Sequence, residues 1–191
     1  MVNFSLWKDA FLKPKETFQK EKANASLKEG VMNILAASVI ISVLFSIVVL
    51  IFGASLIPQL GFLAGAGVVL IILAIFIFFV VIELIGTFIN VGIIWIVAKL
   101  LGGTGSYDQQ YYLTSLFTAP LLVLLVLMVI PLIGWLVMFV VSIYSLYLLY
   151  LVIKQVHGLS TGRAILSIFL IPIIALVLLF IVIGVVVMKQ L

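Results

Sequence analysis

No Asp, Glu, Lys or Arg falls between Glu29 and Glu83, between Asp108 and Lys154, or between Arg163 and Lys189. Each of these runs is long enough for a helix that crosses a hydrocarbon layer of about 30 Å. The 191-residue chain is 66% apolar and 8% charged, whereas soluble domains hold roughly 45–50% apolar and about 25% charged residues. A soluble domain of this size buries roughly 70% of its surface, too little to hide the excess. The bilayer is therefore the solvent for most of the chain, and a soluble enzyme is excluded.

The charges that remain are placed unevenly, with six of the ten basic and four of the six acidic residues ahead of Gly30. Mixed charge precedes the first apolar run, so that run is expected to be a retained span and not a cleaved signal peptide. Phe4, Trp7, Phe11 and Phe18 recur at helical spacing, and Lys8, Lys13, Lys15, Lys20 and Lys22 fill other positions. Aromatics on one face with lysines around them describe a helix lying in the membrane interface. Pro14, followed by Glu16, marks the first turn of a second short helix. A basic balance in a soluble protein would raise nucleic acid as a partner. Here the lysines flank apolar spans, so anionic lipid headgroups are the expected contact. Trp7, Phe11, Lys13, Lys15 and Lys99 are the residues expected to make it.

Residues 1–29 are thus read as a cytoplasmic interfacial segment, and 30–191 as a membrane domain with spans near 30–52, 62–98, 107–129, 134–153 and 164–188. Ser26-Leu27-Lys28-Glu29 and Ser106-Tyr107-Asp108-Gln109 have capping-box patterns ahead of helices. Gly53 to Gly61, with Pro58, reads as a turn. The stretch after Gly61 fits either one long tilted crossing, with a glycine-rich lead-in at Gly61, Gly65 and Gly67, or two short ones broken near Glu83 to Gly86. One crossing puts Lys99, Lys154 and Arg163 on the side of the N-terminal lysines and only Lys189 opposite, which the positive-inside bias favours. The expected fold is an all-α integral membrane protein. Five transmembrane helices form a bundle behind a short amphipathic interfacial segment, with the N-terminus cytoplasmic and the C-terminus outside.

Several of these pieces occur together in one known family. Leu12-Lys13-Pro14-Lys15-Glu16-Thr17-Phe18 precedes the first span, and Lys99-Leu100-Leu101-Gly102-Gly103-Thr104-Gly105-Ser106 precedes the third. Pro120, Ile130-Pro131-Leu132-Ile133-Gly134-Trp135 and Val156-His157-Gly158-Leu159-Ser160 follow in order. With these motifs the chain resembles the Yip family, the Ypt/Rab-interacting polytopic membrane proteins, in its short prokaryotic form. The resemblance implies five spans, a cytoplasmic N-terminus and a place in a prokaryotic cell membrane. Better-known eukaryotic members act in vesicle traffic and contact small prenylated GTPases. This sequence lacks their Asp-Leu-Tyr-Gly-Pro motif and has Ser115-Leu116 where they carry Gly-Tyr, so GTPase binding is not carried over.

Glu83 is the one acid inside an expected span, and such residues are functional candidates by default. Thr87 and Asn90 follow at +4 and +7, on the same helical face. The three together could form a polar site for a proton, a cation or an amine, which is the basis of an alternative reading as a small transporter or channel component. No catalytic residue, cofactor or metal is expected. The chain has one histidine and no cysteine, and its two acids beyond Glu29 are Glu83 and Asp108, too far apart for paired-carboxylate chemistry. The glycine-rich turn at 102–105 lacks the Gly-Lys-Ser/Thr ending of a P-loop. Expected partners are membrane lipids and a membrane protein, the latter either a different chain or a second copy.

Overall fold

The computed structural model describes residues 2–56 and 66–188. Among these residues every regular element is helical. Two short helices, α1 (Phe4–Leu12) and α2 (Pro14–Glu21), lead through a 3-10 turn at Lys22–Asn24 into α3 (Leu27–Leu56). There follow α4 (Ala66–Ile77), α5 (Glu83–Leu100), α6 (Tyr107–Leu124), α7 (Ile133–His157) and α8 (Thr161–Met188). A π-helical turn at Phe78–Ile82 joins α4 to α5 without a break, where two crossings would need one. Among the described residues, five stretches are long and apolar enough to cross a membrane: Leu27–Phe52, Val69–Leu100, Tyr107–Val129, Ile133–His157 and Thr161–Ile183. The 32 residues of the second span about 48 Å at ~1.5 Å per residue, so that helix must tilt in a bilayer or protrude from it.

Local chemistry sets the ends. Ser106 accepts from Gln109 N and Gln109 Oε1 accepts from Ser106 N, both at 3.2 Å, which closes the capping box of α6. Pro14 opens α2, where its missing N–H costs nothing. α3 continues through the position of Gly53 to Leu56; Pro58, Gly61 and Gly65 of the expected turn and lead-in, and Lys189, lie outside the described residues. Pro120 sits inside α6, which tightens to a 3-10 turn at Leu125–Val129 before the hairpin. Gly158 ends α7 in the left-handed conformation at φ 65°, the position where a Cβ is disfavoured.

α6 is the centre of the bundle, buried from Gln110 through Phe117, and lies along α3. α5 and α7 flank it, and α8 packs on both of them near Ala164 and Ile168. The best-packed half is the end where α1, α2 and the 101–106 and 158–160 turns meet. Toward the other end the apolar side chains of α8 from Ile171 to Ile183 are exposed on every face, apart from the protein's own backbone. Side chains exposed in this way suit contact with acyl chains.

Candidate functional site

The N-terminal helices are turned onto the bundle. Phe18 is fully buried, with its ring 6.3 Å from that of Phe117. Trp7, expected at the lipid interface, is instead 6% exposed. Its indole N–H donates to Asn33 Oδ1 at 3.1 Å, Asn33 Nδ2 donates to Ser115 Oγ at 3.0 Å, and Ser115 donates to Tyr112 O at 2.7 Å. The reason is satisfaction: a polar amide in an apolar helix needs partners where water is absent, and Trp7 supplies one. Tyr112 also donates to Glu21 Oε2 at 3.1 Å, tying the end of α2 to α6. Tyr144 donates to Phe11 O at 2.6 Å, fastening α1 to α7.

The C-terminal end of α7 shows why the segment docks. A helix leaves its last four carbonyls without intrahelical partners. Here Lys154 O accepts from Gly158 N at 3.0 Å, and His157 O accepts from Thr104 N at 3.2 Å. Lys22 Nζ donates to the other two, Gln155 O at 2.7 Å and Val156 O at 3.2 Å. Its charge also suits the negative end of the helix dipole. Beside it, Gln110 Nε2 donates to Val91 O at 3.2 Å, so its Oε1 accepts from His157 Nε2 at 2.8 Å. A Cβ on Gly103 would press on the His157 ring and lie 2.8 Å from Ala98 O, which is why the turn carries glycine there.

The docked α1 forms an open apolar groove of about 510 Å³ with α3 and α6. Phe4, Trp7, Phe11, Leu12, Ile40 and Pro120 are among its walls, and Lys8 is its one charged residue. Pro120 contributes a ring where a neighbouring residue would offer a backbone N–H. Phe11 is half-buried and faces this groove, while Lys13 and Lys15 are exposed. Lys99 is exposed as well, donating to Thr104 O at 3.2 Å and lying 5.7 Å from the Trp95 ring centre.

The polar stripe on α5 does not gather into one place. Thr87 is buried, Glu83 is half-buried and Asn90 is exposed, and none of them lines the groove. At about 100° per residue, Thr87 and Asn90 point some 60° apart, enough to put them on opposite sides of the bundle's edge. The residues missed from sequence are Asn33, Gln110 and Lys22. Asn33 and Gln110 were visible as amides in or beside spans, and Lys22 as one lysine among several.

These features define an integral all-α membrane protein whose N-terminal helix pair is latched to a five-helix bundle. The Yip1 domain family pattern matches residues 8–183, most of the chain, and the chain belongs to that family. Comparison with curated proteins and with solved structures gave no significant match.

Proposed function

We propose that this protein is non-enzymatic and binds membrane lipid, holding an acyl chain in the groove under α1 with an anionic headgroup at Lys8. The observation that carries this reading is the groove itself: a channel of about 510 Å³ with apolar walls and one cation, at the junction of an amphipathic helix and two spans. Apolar walls favour a hydrocarbon chain at roughly 25 cal/mol per Å² buried, and a lysine at the surface attracts anionic lipid by about 1 kcal/mol. The only histidine of the sequence is buried and bonded to Gln110, which supports a structural role for it. In this reading the latched end faces the cytoplasm of a prokaryotic cell, and partner membrane proteins or further copies meet the exposed spans.

Native mass spectrometry of the full chain after mild delipidation tests the proposal. Wild type is expected to retain anionic phospholipid, and Lys8→Gln to weaken the preference for anionic over zwitterionic lipid. Leu124 also lines the groove, and Leu124→Trp, which fills it, is expected to retain fewer lipids per chain than wild type. Equal retention by wild type and Leu124→Trp, with unchanged melting, would contradict it.

A further inference from the structure

A second cavity of about 510 Å³ opens between α2 and α7, and none of the groove's residues lines it. Lys15, Gln19, Tyr147, Tyr150, Lys154 and Gln155 form its polar wall, which among the described residues contains two ammonium groups and no carboxylate. Lys154 is positioned: its ammonium donates to Tyr150 OH at 3.2 Å and to Thr161 Oγ1 at 3.3 Å, and lies 5.6 Å from the Tyr150 ring centre. Gln155 is positioned too, because its Nε2 donates to Lys15 O at 3.1 Å. Gln155 is half-buried, and its Oε1 is covered and without a hydrogen-bond partner among the described residues. A buried acceptor in this state is costly and favours any ligand that brings a donor.

The two demands narrow the ligand. Two cations without a counter-ion call for an anion, and Lys-to-phosphate contacts are charge-assisted and short. The unpartnered oxygen calls for a donor; the two lysines disfavour an ammonium there, and among phospholipid headgroups that leaves a neutral hydroxyl. Below the lysines, Ile143 and Tyr147 continue the same face of α7 and are 57% and 41% exposed, a surface along which acyl chains can lie. We propose that this cavity binds the headgroup of an anionic phospholipid that carries a hydroxyl beyond its phosphate. The phosphate sits between Lys15 and Lys154, and the hydroxyl donates to Gln155 Oε1. The site stands on residues separate from the groove and does not depend on the groove being filled.

The test uses the delipidated full chain titrated with phosphatidylglycerol and with phosphatidylmethanol, which has the same charge and no hydroxyl. Wild type is expected to bind phosphatidylglycerol several-fold more tightly. The Lys15→Gln/Lys154→Gln variant, altered only at exposed side chains, is expected to weaken phosphatidylglycerol at least about tenfold, the effect of losing one good charge-assisted contact. Gln155→Leu is expected to abolish the preference for phosphatidylglycerol over phosphatidylmethanol, and Lys8→Gln, which weakens anionic lipid in the groove, to leave that preference in place. Equal binding of the two lipids by wild type, or full affinity in the double-lysine variant with unchanged melting, overturns the proposal. Loss of the hydroxyl preference in Lys8→Gln assigns that recognition to the groove and also overturns the proposal. Displacement by soluble glycerol phosphate at comparable concentration overturns the lipid as occupant.

Discussion

The two ends of this bundle are held by different forces. At the latched end, helix carbonyls, amides and an indole are paired through Lys22, Asn33, Gln110, His157 and Trp7. At the other end, α8 beyond Ile171 presents apolar side chains in every direction and leaves them to lipid. Without a solvophobic drive between helices in hydrocarbon, association rests on packing and on hydrogen bonds between spans. The polar end therefore sets which helices meet and in what register, while the apolar end keeps the protein in the bilayer.

Substitutions ranked by expected size sharpen that contrast. Gly103→Val, whose first carbon already collides with the His157 ring and Ala98 O, is expected to cost about 1–3 kcal/mol or more as overpacking, read as a fall in melting temperature in detergent. Lys22→Met removes the donor for two α7 carbonyls and is expected to cost about 1–3 kcal/mol, with the N-terminal helices becoming protease-sensitive before the bundle melts. Asn33→Leu strands the Trp7 indole N–H. A double-mutant cycle with Trp7→Phe is expected to show a coupling of about 0.5–1.5 kcal/mol. At the other end, Ile174→Ala and Leu178→Ala, at side chains 45% and 56% exposed, are expected to stay within about 0.5 kcal/mol of wild type. A large effect from the α8 pair would mean that a protein surface, not lipid, covers that end.

The same contrast explains how far the sequence could be read. Helix positions follow from local chemistry, and the Ser106–Gln109 box, the opening of α2 by Pro14 and the long uncharged runs all declare themselves within a few residues. The direction of an apolar face does not. The spacing of Phe4, Trp7 and Phe11 shows a stripe, but lipid and protein cover a stripe equally well. Trp7 turns inward because of Asn33, 26 positions away, which in turn relies on Ser115, 82 positions further. Glu83, Thr87 and Asn90 share a stripe by period, yet the bundle's edge runs through it. Lys22 looked like any other interfacial lysine until the end of α7 supplied its carbonyls.

Trp7 fluorescence reads whether α1 is latched to the bundle over a groove that takes up lipid. With Trp95→Phe and Trp135→Phe, Trp7 is the only tryptophan left of the three in the sequence. Reconstituted with anionic lipid brominated in the acyl chain, Trp7 is expected to be strongly quenched by the bromine and barely by aqueous iodide, and Lys8→Gln to reduce the bromine quenching. Ready quenching by iodide with none from the brominated chains would mean that α1 is undocked and the groove holds no lipid.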